Sequence, residues 1–112
     1  MSNVQNWFMI DELPLEEAAK GVNRKILAYN ENLMAVEASF DEGAVGAMHD
    51  HPHEQITYII EGEFEFTIGD EKRIVKAGDS MYKQPNILHG ATCLKAGKLL
   101  DVFTPHRADF LK

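Results

Sequence analysis

The sequence predicts an all-β fold, a sandwich or small barrel with one short N-terminal helix. Three observations lead there. Apolar and polar residues alternate over short stretches, turn residues cut those stretches at close intervals, and a single segment carries helix signals. That segment is "LPLEEAAK", residues 13–20, with Pro14 in a first turn, Glu16 and Glu17 near the positive N-terminal end and Gly21 as a stop. It predicts about two helical turns.

The strands follow in order. From "RKILAY" through "NLMAVEASF", Met34, Val36, Ala38 and Phe40 fall on one face and Glu37 and Ser39 on the other. "DEGAVG" breaks the run. Beyond the histidines, "QITYIIEGEFEFTIGDEKRIVKAGD" predicts three strands, 55–60, 63–68 and 72–76, with tight turns at Glu61-Gly62 and Gly69-Asp70. Phe64, Phe66 and Ile68 form an inward row. A turn at Gly78-Asp79, a short strand and a turn at Pro85-Asn86 lead to His89, and "KLLDVFTPHRADF" starts as a strand and ends irregularly.

At 112 residues the chain can build one core and not a second, so residues 1–112 are read as one domain. Lys and Arg number 11 against 18 Asp and Glu, and the formal charge of -7 argues against a phosphate-binding surface of the nucleic-acid kind. An anionic ligand would have to find a locally positive pocket. The lone Cys93 cannot form an intrachain disulfide, the N-terminus shows no secretory pattern, and no apolar run is long enough to span a bilayer. A soluble cytoplasmic protein is expected.

The chemistry concentrates in "HDHPHEQ", residues 49–55, which holds three of the five histidines. In a strand, residues two apart share a face, so His49 and His51 can converge on one ion and Gln55 has their parity. Glu54 has the opposite parity, although Pro52 can disturb the alternation, and His53 stays a candidate. His89 is the fourth, brought in if the strands close. A decorative surface cluster is the competing reading; three histidines in five residues plus a turn-anchored fourth argue against it. His106 is read as lying outside the site.

"GAMHDHPHEQITYIIEGE" resembles the first motif of the cupin family, and "GDSMYKQPNILHGATC" resembles the second. The resemblance implies a double-stranded β-helix, the cupin jelly-roll barrel, with a divalent ion held by His49, His51, residue 55 and His89. Three positions depart from the family pattern: Gln55 for glutamate, Asn86 for glycine and Cys93 for asparagine. Asn86 tolerates a left-handed turn, and Cys93 reads as a small core residue. An amide at 55 keeps an oxygen donor but removes a charge, leaving a site of about +2 that suits a carboxylate-bearing substrate. The same loss counts against the two-histidine, one-carboxylate triad of iron oxygenases.

Asp101, Phe103 and Arg107 share parity in "DVFTPHRADFL". An Arg fork can grip a carboxylate and an Asp can move protons, while a plain Asp101–Arg107 salt bridge is the competing reading. These segments resemble a branch of small cupins that act in pectin and alginate breakdown. That resemblance implies ring opening and ketonisation of 4,5-unsaturated monouronates to linear 4-deoxy-5-keto uronates. Metal ligands would be His49, His51, Gln55 and His89, with Asp101, Phe103 and Arg107 as catalytic and substrate-binding residues. Zn²⁺, Ni²⁺, Mn²⁺ or Fe²⁺ would suit the imidazole-rich set. A small iron-dependent cupin dioxygenase and a non-catalytic sugar-acid binder are the alternatives. Edge strands and family habit predict a homodimer, with Trp7, Phe8 and Ile10 either joining a partner sheet or capping their own core.

Overall fold

The computed structural model describes residues 4–111. Eight strands form one antiparallel sheet that curls on itself: β1 (Glu16–Ala19), β2 (Val22–Tyr29), β3 (Met34–Phe40), β4 (Val45–His49), β5 (Glu54–Ile68), β6 (Glu71–Lys76), β7 (Ser80–Lys83) and β8 (His89–Thr104). Their order is β1-β2-β3-β8-β5-β6, with β4 added to β8 and β7 to β5. Two long strands, β5 and β8, run through both halves of the roll and pair with each other along their length. The expected jelly roll is present, and the Met34-Val36-Ala38 row faces inward with all three side chains buried.

Two local expectations are corrected. The segment expected to be helical is strand β1, and the nearest helical geometry is a single 3-10 turn at Ile10–Glu12. A two-turn helix has little stability of its own. As a strand, the segment places Glu16 opposite Arg24 on β2, where carboxylate and guanidinium meet at 3.0 Å. Gly21, at φ 76°, turns the chain between β1 and β2.

The second correction concerns Glu61-Gly62, which is no turn: β5 continues through it, with register shifts against β8 between Ile59 and Phe64. Gly62 lies back to back with Gly97. A Cβ on Gly62 would stand 2.6 Å from the Gly97 Cα, and one on Gly97 would stand closer still to the Glu61 carbonyl oxygen. Only two bare Cα atoms let these strands cross so closely, and the bulge bends both from one half of the roll into the other.

The main core gathers Ala38, Ile59, Phe64, Phe66, Val75, Cys93 and Leu99 between the two halves. Cys93 is 1% exposed, and burial pushes its thiol pKa up, as a packing residue requires. A second cluster, Met34, Val36 and Phe103, lies against Ile26 and Phe110. Trp7 is 78% exposed and so caps no core of its own chain, whereas Phe8 packs on Tyr29.

Candidate metal centre

Three loops and strand ends bring the histidines together. His49 ends β4 and lies opposite His89, the first residue of β8, with ring centroids 4.4 Å apart. His51 follows in the loop between β4 and β5, and its carbonyl accepts a hydrogen bond from the Asn86 amide at 2.7 Å. Asn86 sits at φ 66°, so the left-handed turn expected of it presses directly on the His51 backbone.

One ligand atom from each of His49, His51 and His89 lies within 4.8 Å of the others. Two ligands on opposite sides of one ion span about 4.2 Å, so little movement is needed. The tautomers are prepared as well. The Nδ1 atoms of His49 and His89 lie 2.8 and 2.9 Å from the carbonyls of Ala47 and Ile87. Each therefore donates from Nδ1, which leaves the Nε2 lone pair for a ligand. Nε2 of His89 is a buried atom without a hydrogen-bond partner. Such an orphaned acceptor in a group of three fits a bound divalent ion.

Gln55 stands beside the three histidines. It is buried on the inward face of β5, and its Oε1 lies 2.9 Å from Nε2 of His51. Neighbouring ligands of one ion stand about that far apart. Its other end is fixed by neighbours, since Nε2 donates to Asp101 Oδ1 at 2.9 Å and to Thr57 Oγ1 at 3.2 Å. A carboxylate can only accept, so the amide nitrogen must face Asp101 and the amide oxygen must face the histidines.

The neighbours of these residues sort the remaining candidates. His53 points to the carbonyl of His106 at 3.1 Å and Glu54 receives the Tyr82 hydroxyl, so neither belongs to the three-histidine group. His106 meets the Glu31 carbonyl, outside the group as expected.

A cavity of about 390 Å³ opens beside this centre, and His49, Gln55, His89, Asp101, Phe103 and Arg107 all line it. That size suits a small ligand. A groove of about 420 Å³ bounded by β5, β6 and β7 contains none of these residues. Within the cavity, Phe103 is 2% exposed and stands edge-on to His51, with centroids 5.7 Å apart. Asp101 and Arg107 do not pair with each other. Both hydrogen bonds of the Asp101 carboxylate fall on Oδ1, from Gln55 and from the Thr57 hydroxyl at 2.6 Å. Arg107 is stacked on Phe110 and Phe103, at 4.3 and 5.1 Å to the ring centroids. Its Nε and Nη2 donate to Asp109 at 3.1 and 2.9 Å, which leaves Nη1 to reach a ligand.

Sequence reasoning missed three members: Thr57, Lys83 and Asp109. Thr57 had the parity of Gln55 and could have been found that way. Lys83 is 2% exposed, lines the cavity and donates to Thr57 Oγ1 at 2.7 Å. Its only signal was inward parity with the half-buried Met81.

These observations meet those from known proteins. A model of the cupin domain matches residues 36–103, more than half of the chain. The chain is a cupin. This cupin is 44% identical over 110 residues to the pectin degradation protein KdgF of Dickeya dadantii (strain 3937), covering 96% of its own length and all of that protein. It superposes on the structure of KdgF from Halomonas sp. with a TM-score of 0.90 at 37% identity, over 96% of this chain and 99% of that one. An RmlC-like cupin from Shewanella frigidimarina NCIMB 400 gives a TM-score of 0.92 at 37% identity, over 98% and 99% of the two chains. Among the described residues no helix of the cupin is long and apolar enough to cross a membrane.

Burial sets the protonation of the centre. It pushes the His89 imidazole from 6.5 down to about 4, against the opposing hydrogen bond to Ile87, and the charges of Lys83, His49 and His51 push the same way. Burial also lowers His51, opposed by its bond to Gln55. A folded state that refuses a proton which the unfolded chain accepts loses stability as pH falls. The His89 contribution is complete above about 6.5 and disappears as pH drops toward 4. Metal-free protein should therefore melt at progressively lower temperature over that interval, with a shallower slope in His89→Gln; equal slopes for the two proteins would refute the assignment.

Proposed function

We propose that this cupin opens and ketonises 4,5-unsaturated monouronates from pectin or alginate breakdown, giving linear 4-deoxy-5-keto uronates. The observation that carries the reading is the joining of the metal centre to Asp101 through one amide, Gln55, inside a single cavity. Its likeness to pectin degradation protein KdgF, over nearly the whole chain, supports the substrate class.

His49, His51, His89 and Gln55 would hold the ion. When bound, a divalent ion supplies a Lewis acid that polarises substrate oxygens, and no redox change is required, so Zn²⁺, Ni²⁺, Mn²⁺ and Fe²⁺ all suit the chemistry. The donor set is neutral, and a negatively charged protein thereby gains a positive pocket for a carboxylate. Arg107 adds Nη1 to that attraction, while Phe103 offers an apolar surface beneath the sugar ring.

The proton balance needs one shuttling group. Breaking the bond between C1 and the ring oxygen releases the hemiacetal hydroxyl proton and leaves an aldehyde at C1 and an enolate at C5. Ketonisation of the enolate then places that proton on C4. Asp101 takes and returns that proton through Oδ2, because Oδ1 already accepts two hydrogen bonds.

The test follows 4,5-unsaturated galacturonate by NMR with metal-loaded protein. Loss of the vinyl C4 proton signal well above the spontaneous rate is expected; an unaccelerated rate would remove the proposal, and oxygen consumption would favour a dioxygenase. Arg107→Ala should raise KM about tenfold with little change in kcat, as loss of one charge-assisted hydrogen bond implies. An unchanged KM would exclude Arg107 from substrate binding.

A homodimer and a cytoplasmic location complete the reading. Ile56, Tyr58, Ile60 and Tyr82 leave an apolar strip on the outer face of β5 and β7, which a second copy would cover. Light scattering that returns the mass of one chain would exclude it. The free, buried Cys93 suits a reducing compartment.

A further inference from the structure

We propose that Lys83 and Thr57 are positioning residues that fix which oxygen of Asp101 faces the cavity. The inference rests on the proton-shuttling role of Asp101 given above.

The hydrogen-bond directions are forced. A threonine hydroxyl has one proton and two lone pairs. The Thr57 proton goes to Asp101 Oδ1 at 2.6 Å, and its lone pairs receive Lys83 Nζ at 2.7 Å and Gln55 Nε2 at 3.2 Å. Every bonding direction of the hydroxyl is used, so it cannot turn without breaking a bond. Thr57 is fully buried and lies directly opposite Asp101 in the β5–β8 ladder, while Lys83 lies opposite Gln55 in the β5–β7 ladder. The strand register itself thus sets the four residues side by side.

Lys83 lines the cavity and its ammonium lies over the Phe66 ring, and the side-chain hydrogen bond it makes is to Thr57. A buried ammonium is costly, and an apolar side chain of the same length would fill the space over the Phe66 ring, 4.7 Å from Nζ, without that cost. The lysine forms no direct bond to Asp101. It acts through Thr57, holding the hydroxyl so that its proton points at Oδ1. An aspartate carboxyl group otherwise turns easily about its last torsion, and either oxygen could face the substrate. With Oδ1 pinned by Thr57 and Gln55, Oδ2 alone is presented.

The test compares Thr57→Val, Thr57→Ser and Lys83→Met with the parent, all loaded with whichever of Zn²⁺, Ni²⁺ or Mn²⁺ gives the parent its highest turnover. Rates with unsaturated galacturonate are read by NMR, and Zn²⁺ affinity by competition with a coloured chelator. Thr57→Val and Lys83→Met should lower kcat about 10- to 100-fold, the usual effect of losing a group that orients a functional residue, with KM within about twofold. Thr57→Ser restores the hydroxyl and should recover most of the rate. Lys83→Met removes a positive charge near the centre, so Zn²⁺ affinity should hold or tighten, which separates misplacement of Asp101 from loss of metal.

Parental kcat in Thr57→Val, a Thr57→Ser variant as impaired as Thr57→Val, or a rate loss that follows metal occupancy would each overturn the inference. Turnover retained in Asp101→Asn would instead overturn the proton-shuttling role itself. An inactive Asp101→Asn beside an unimpaired Thr57→Val would leave that role standing and remove only the positioning pair.

Discussion

Asp101→Asn is expected to reduce turnover of 4,5-unsaturated galacturonate by about 10²- to 10⁴-fold, the range for loss of a general acid–base group. The geometry makes this substitution unusually clean. Gln55 and Thr57 both donate to Oδ1, so the asparagine carbonyl oxygen will take that place and the amide nitrogen will occupy the position of Oδ2. An amide nitrogen there cannot accept a proton. The bonds that orient Gln55 persist, so the variant should fold and keep its metal ligands in place. NMR rates measured alongside metal content decide the matter, and near-parental turnover would free Asp101 from its role.

Gln55→Glu should lower turnover about 10- to 100-fold near neutral pH while strengthening binding of a divalent ion. The parent's Gln55 nitrogen lies 2.9 Å from Asp101 Oδ1, and the variant would put a second carboxylate oxygen there. At an effective dielectric near 20, two such charges repel by about 4 kcal/mol or more. The pair would then share a proton, and Asp101 would lose its freedom to exchange one with substrate. Activity should recover partly as pH rises and that proton leaves. A pH–rate profile equal to the parent's at every pH would show that the two carboxylates coexist without penalty. Asp101 behind Gln55 thus gives a reason for glutamine at this position that does not depend on the charge of the proposed metal site.

The histidines were legible in the sequence because their spacing is local: His49 and His51 lie two residues apart, and His89 follows a turn that Pro85 and Asn86 announce. The alternation in β3 was equally plain, since Met34, Val36 and Ala38 all face inward. Other features depend on partners distant in the chain. Nothing in "LPLEEAAK" reveals that Glu16 will meet Arg24 across a ladder, so its composition read as helix. Glu61-Gly62 has the residues of a turn, and only the approach of Gly97 shows why glycine is needed inside a continuing strand. Lys83 was hardest to read, because a lysine in a short strand ordinarily reaches water. Its burial follows from pairing on both sides of β5, which places Thr57 and Asp101 beside it. Arg107 is engaged by Asp109 only because the chain turns at Ala108–Leu111, which its local sequence does not announce.

The pairing of β5 with β8 also bears on how the protein is made. Gln55 meets Phe103 and Thr57 meets Asp101, so the cavity beside the proposed metal site is closed by strands that pair only once β8 has been made. Before β8 is made, the growing polypeptide holds the clustered imidazoles of residues 49–53 without His89 and without a closed pocket. Ion capture is thereby deferred until synthesis is almost complete, and an incomplete product should sequester little metal from the cell.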